Sequence, residues 1–248
     1  MPNWVYNGLT IEGNPSEIND LVEQLGRPFT VPIEVHNMGD INPNGFPTKI
    51  QEVKHSKPVF AFWNIINPFD MGITAEEYAK QPMRSELDVN DPNWWSDNQR
   101  LTKIDKSWYS WNTTNWGCKW DVAVSDDEKY PETYMEGPTE NGENLVVYYN
   151  FNTPWGIPDE ALKTLSSQYP TLLFTLSYEE ETGWGGEHEY LRGKALLGSE
   201  YNWKCRNCDY EELGEPPYCE DCDYDMCPSC GWGEPDETCA THKEKVEA

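Results

Sequence analysis

The stretch Asn144–Tyr178, NLVVYYNFNTPWGIPDEALKTLSSQYPTLLFTLSY, decides the fold. Its first eight residues are rich in Val, Tyr and Phe, the side chains that suit a half-buried pleated surface, and predict a strand over Asn144–Phe151. Pro158-Asp159-Glu160 opens a helix whose Ala161, Leu162 and Leu165 share one face. TLLFTLSY (Thr171–Tyr178) then returns as a strand, and His188–Leu191 predicts one more.

Strand, helix and strand in that order also open the chain. WVYNGLTI (Trp4–Ile11) shows an imperfect period of two, and Asn14 and Pro15 provide a helix cap and first helical residue. Ile18, Leu21, Leu25 and their neighbour Val22 follow at helical spacing, and Gly26 ends the run. The apolar run PVFAFWNII (Pro58–Ile66) predicts the second strand, with FTVPIEV before it as a short edge strand. KWDVAV (Lys119–Val124) predicts the third. Residues 67–117 form an irregular, Trp-rich insertion with a short helix over Ala75–Lys80, and Ser125–Glu143 is an acidic excursion. The expected class is therefore α+β: a ferredoxin-like, mostly antiparallel sheet built from two split βαβ units, with its helices on one face.

Composition narrows the function. The 248 residues carry 44 Asp and Glu against 18 Lys and Arg, a formal charge of −26. Nucleic acid and anionic membranes would repel such a chain, so neither is an expected partner. Twelve Trp, 14 Tyr and 7 Phe argue for a packed core over disorder. No run approaches the ~18 apolar residues that span a bilayer, and the opening MPNWVYNG lacks the features of a signal peptide. A bacterial host cytoplasm is the expected location.

Cysteine usage divides the chain near residue 200. Cys118 stands alone in the first 204 residues, whereas seven cysteines fall between Cys205 and Cys239. The expected domains are thus a ferredoxin-like body over 1–200 and a small module over 201–248. Cys205/Cys208, Cys219/Cys222, Cys227/Cys230 and Cys239/His242 form four consecutive C-x2-(C/H) pairs. A two-residue spacer lets one turn aim both donors at a single ion, and eight thiolate and imidazole donors satisfy two tetrahedral zinc ions. With every ligand used, both ions are expected to be structural. Seven thiolates against two divalent ions would make the charge still more negative. Spacing alone leaves two pairings open: sequential ribbons, or a cross-brace joining Cys205/Cys208 with Cys227/Cys230 and Cys219/Cys222 with Cys239/His242.

Catalytic signals are sparse. No phosphate loop, nucleophile elbow or HExxH motif occurs. Cys118, between Trp116 and Trp120, reads as a core thiol, and His188, between Glu187 and Glu189, as an exposed strand residue. Glu179, Glu180 and Glu181 read as a solvated turn.

MPNWVYNGLTIEG at the start, NWGCKWD (Asn115–Asp121), FNTPWGIP (Phe151–Pro158) and YPTLLFTLSYEEETGWGG (Tyr169–Gly186) together resemble the YubB-type ferredoxin-like family of phage and plasmid proteins. The resemblance covers most of residues 1–195. It implies the ferredoxin-like topology and a mobile-element origin, and it brings no catalytic residues. YCEDCDYDMCPSC (Tyr218–Cys230) resembles the middle of ZZ-type zinc fingers, which implies the cross-brace. The gap after Cys222 is one residue shorter than in those fingers, and the last pair is Cys/His where they have His/His.

The expected function is non-enzymatic: an acidic protein that binds a basic surface on a host protein, inhibiting a nucleic-acid-handling or defence factor by charge mimicry. The alternatives are a virion or assembly component, and an enzyme with a site around Cys118, Trp116, Trp155 and His188.

Overall fold

The computed structural model describes residues 3–36, 48–80, 106–122, 133–196 and 198–204, together with the backbone of three short strand segments beyond them. Strand β1 (Trp4–Gly13) buries Val5, Asn7, Leu9 and Ile11 on one face. Helix α1 (Pro15–Leu25) follows, its start fixed by the Asn14 side chain, which accepts the Ser16 backbone N–H at 2.9 Å. Ile18, Leu21 and Leu25 pack the helix onto the sheet.

The second strand of the sheet is not where the apolar pattern puts it. PVFAFWNII is buried at Phe60–Trp63 and Ile65, but as a segment containing a 3-10 turn over Phe62–Asn64. A short apolar run does not distinguish a strand from another buried segment. KWDVAV is no strand over its described part, Lys119–Val122, because Asp121 turns inward to serve the backbone of Phe62. The strand that takes the second place is β4 (Tyr134–Asn141), inside the stretch read as an acidic excursion. Its sequence, YMEGPTEN, carries Gly and Pro and is exposed along most of its length, so no alternation marks it. β4 tolerates its proline because it is an edge strand whose register shifts between Glu136 and Thr139, around Pro138.

FTVPIEV does form a strand, β2 (Phe29–His36), but it pairs with β3 (Thr48–His55) in a separate two-stranded ribbon. The insertion holds the expected short helix, α2 (Ala75–Ala79), and, beyond that expectation, a second 3-10 turn (Pro68–Met71) and α3 (Trp108–Asn115). Strand β5 (Asn144–Pro154), helix α4 (Asp159–Gln168), strand β6 (Leu173–Glu180) and strand β7 (Gly185–Leu191) lie where the patterning predicts them, with boundaries shifted by a few residues. Two short strands, β8 (Lys194–Ala195) and β9 (Ser199–Tyr201), both pair with β7.

The sheet order is β4-β5-β1-β6-β7-β8, antiparallel throughout. Its first four members, with α1 after β1 and α4 after β5, make two interleaved split βαβ units. The fold is ferredoxin-like and α+β.

One core unites the helices, one sheet face and the insertion. Phe60 stacks on Phe151 with centroids 4.8 Å apart, and Trp116 meets Phe62 and Trp111 at 5.9 and 5.4 Å. Of the described tryptophans in the Trp-rich stretch, Trp111 and Trp116 are buried and Trp108 is partly so, and Trp63 just before the stretch is buried with them. PVFAFWNII packs on the helix side, because Phe60 contacts Tyr149 and Phe151, which share the buried face of β5, and the insertion joins it through Trp116 against Phe62. Among the described residues, no helix packs on the opposite sheet face.

Candidate functional site

Strand alternation places the other half of each strand on this open face. Three cross-strand rows run over its centre. One joins Asn152, Tyr6, Glu179, Gly185 and Tyr201; the next joins Tyr134, Asn150, Gly8, Ser177, Glu187 and Ser199. The third joins Glu136, Tyr148, Thr10, Thr175 and Glu189. The rows contain four glutamates and no lysine or arginine.

The face is concave, with a groove of about 510 Å³ lined by Tyr6, Tyr148, Glu179, Glu187 and Tyr201 among others. Glycine shapes its floor. A Cβ on Gly8 would lie 2.8 Å from the Tyr148 hydroxyl and 2.9 Å from Ser177 Oγ, so Tyr148 lies across the bare backbone. Gly185 is covered by Tyr201 in the same way, and the Tyr201 hydroxyl donates to Glu179 at 3.4 Å. Ser177 Oγ donates to the Gly8 carbonyl at 3.2 Å. Tyr6 remains exposed. These residues carry donors, acceptors and aromatic faces with negative charge, a surface suited to a cationic, hydrogen-bonding partner.

At one end of the face the two motif loops meet. Gly117 has φ +88°, and a Cβ there would stand 2.9 Å from the Ile157 carbonyl and 3.1 Å from the Asp159 nitrogen. NWGCKWD is thereby wedged against the start of α4 and FNTPWGIP. Beyond the wedge, the Lys119 ammonium sits 4.7 Å from the Trp120 ring centre and 4.2 Å from that of Trp155. Trp4 meets Trp120 edge to face at 6.2 Å.

The residues of the enzymatic alternative have separate partners. Cys118 is buried and donates its thiol to the Trp120 carbonyl at 3.5 Å. Burial, with the Asp121 charge beside it, pushes that thiol well above its usual range, away from the thiolate a nucleophile requires. His188 is a strand residue, but it points to the helix side and is largely enclosed. Its Nε2 lies 2.8 Å from Glu200 Oε1 and 3.3 Å from the Tyr178 hydroxyl, and its Nδ1 is buried without a partner. Burial and the nearby Glu200 hold the Tyr178 hydroxyl far above its ordinary pKa. Trp116 is core, and Trp155 is exposed.

Of the three glutamates read as one solvated turn, Glu179 faces the groove. Glu180 is buried, accepting the Thr182 N–H at 2.6 Å and the Thr182 hydroxyl, and Glu181 is exposed.

Cys205, Cys208, Cys222, Cys227, Cys230, Cys239 and His242 lie outside the described residues. Cys219 falls in a two-residue strand, Tyr218–Cys219, whose backbone pairs Cys219 with Tyr224. Among the described residues no group of three His, Cys, Asp or Glu side chains could hold a metal, and no helix is long and apolar enough to cross a membrane.

Residues 135–221 match the family model for the ferredoxin-like domain in Api92-like protein. The matched segment begins within β4, takes in every strand of the sheet except β1, and continues past β9 to residue 221. A crystal structure of protein api92 from Yersinia pseudotuberculosis is similar with a TM-score of 0.40 and 10% identity, over 83% of this chain and 100% of that one. No curated protein matches the sequence.

The groove residues were not singled out by patterning, because the polar half of an alternating strand normally reads as solvent-facing. The available signal was the density of tyrosines and glutamates at those alternate positions, together with a glycine in mid-strand.

Proposed function

We propose that this is a non-enzymatic, mobile-element protein that binds a basic surface on a host protein through the open face of its sheet. The observation that supports this most is the charge distribution: three central rows holding Glu136, Glu179, Glu187 and Glu189 without one Lys or Arg. Net charge alone would favour any cation weakly. A concave, tyrosine-lined groove adds hydrogen-bonding and aromatic contacts that select a particular partner. A host factor with a basic nucleic-acid groove has the complementary chemistry, and occupying that groove would inhibit it by charge mimicry.

The C-terminal module is proposed to bind two structural zinc ions through Cys205, Cys208, Cys219, Cys222, Cys227, Cys230, Cys239 and His242. Its cysteines would then be closed to catalysis.

The test is capture from host lysate with the wild-type chain and with Glu179→Gln/Glu187→Gln/Glu189→Gln. A partner retained at low salt, released by ~0.5 M salt and lost from the triple variant supports the reading. Capture indifferent to both salt and the three substitutions overturns it.

A further inference from the structure

Trp155 has φ +68°, a left-handed backbone that L residues other than Asn, Asp and Gly rarely adopt, yet its side chain remains 51% exposed. A strained tryptophan normally gains burial in return; this one gains little. The strain is held from both sides. The Trp155 N–H donates to the Asn3 carbonyl at 3.0 Å. The next carbonyl, of Gly156, accepts the Thr153 hydroxyl at 2.7 Å, and Thr153 is itself anchored by Asn7 at 2.9 Å. The loop therefore presents a fixed indole to solvent, opposite Trp120.

Between the two indoles lies the ammonium of Lys119, 4.2 and 4.7 Å from the ring centres. Among the described residues it forms no ion pair. Its backbone is fixed separately, through the Lys119 carbonyl, which accepts from Asn112 at 3.0 Å. The side chain thus occupies a two-indole slot by choice of rotamer and is free to leave it without disturbing the chain. Cations bind aromatic faces through the ring quadrupole, and the attraction grows as the cation is desolvated.

We propose that Trp120 and Trp155 form a clamp for an organic ammonium group, occupied in the free protein by Lys119 and in the complex by a lysine side chain of the partner. Lys119 serves as an internal stand-in that shows the slot accepts an ammonium. The clamp stands at the end of the acidic face, linked to it through Trp4 and Tyr6 on β1. This deepens the proposed function, on which the identity of the partner lysine rests, by adding an anchor beside the acidic groove.

The probe is choline, with its neutral isostere 3,3-dimethylbutan-1-ol as control, titrated into the full chain while the indole N–H resonances are followed by NMR. Lys119→Ala should bind choline at least ten-fold more tightly than wild type, with the Trp120 and Trp155 signals moving and saturating. The neutral isostere should bind at least ten-fold more weakly. Trp155→Gly, which accepts φ +68° without strain, should lose the response while its unfolding midpoint is unchanged or higher. No saturable shift in Lys119→Ala, or an equal response to the isostere, overturns the clamp. The triple Gln variant of the acidic face should keep choline binding. If the wild-type chain captures no salt-sensitive partner while choline binding is intact, the acidic face fails alone; if capture is salt-sensitive and choline binding is absent, the clamp fails alone.

Discussion

The Oδ1 oxygen of Asp121 accepts the backbone N–H of Phe62 at 2.8 Å, joining chain segments 59 residues apart. Its other oxygen takes the Trp63 N–H at 3.0 Å, and Oδ1 also receives the Val122 N–H at 2.9 Å. One half-buried carboxylate thus supplies the acceptors that a sheet ladder would have given to the apolar run around Phe62. Burial raises its pKa to about 6 from an ordinary 3.8, against the opposing pull of those three N–H donors. A folded-state value above the unfolded one means that the folded chain holds a proton which the unfolded chain has already released. The stabilisation is complete below the unfolded value and is lost as pH rises through about 6.

Asp121→Asn should therefore change the pH dependence as well as the stability. Between pH 7.5 and 5 the wild type should gain roughly 1–1.5 kcal/mol relative to the variant, which has no proton to take up. The variant also presents an amide N–H₂ to one backbone donor, costing about 1–3 kcal/mol at every pH. Urea unfolding of both proteins across that range measures each effect, and parallel pH profiles would refute the assignment.

Gly117 is the second point where distant segments are locked. Its φ of +88° and the approach of the Ile157 carbonyl leave no place for a side chain. Gly117→Ala should cost about 1–3 kcal/mol, through backbone strain and displacement of the first turn of α4. Gly142→Ala is the control: φ is +63° there too, but nothing lies within 4 Å of the added Cβ, so only the backbone strain remains. Chemical denaturation should rank Gly117→Ala as clearly the worse.

The same two residues explain how much of the fold was legible. β1, α1, β5, α4 and β6 obey simple periodicities because each buries one face against the core. β4 has almost nothing to bury, so hydrophobicity leaves no trace of it. PVFAFWNII has too much, and its true partner is a single aspartate that no local pattern links to it. The open face was illegible for a related reason: its meaning lies in rows across strands, and Tyr6, Glu179 and Tyr201 become neighbours only through the register. Trp155 sits in a quoted motif, but its exposure follows from a backbone angle that the motif does not reveal.

Glu179, Glu187 and Glu189 repel one another across β6 and β7, a cost that a purely structural face would have shed. The triple Gln variant should be more stable than wild type by a few tenths to about 1 kcal/mol at low salt. The difference should shrink as salt screens the carboxylates. Thermal unfolding at ~20 mM and ~500 mM salt measures it. A variant less stable at both salt concentrations would show that these glutamates support the fold.

Zinc content tests the remaining module and separates its two pairings. The full chain, purified without added metal, should carry two zinc ions by elemental analysis and lose them to a chelator. Cys219→Ser and Cys239→Ser should each leave one ion. The double variant decides the connectivity. In a cross-brace both positions serve the same ion, so the double variant keeps one zinc. In sequential ribbons they serve different ions, so it keeps none. The cross-brace is the expected result, and because the body has its own core, its unfolding transition should persist in all three variants.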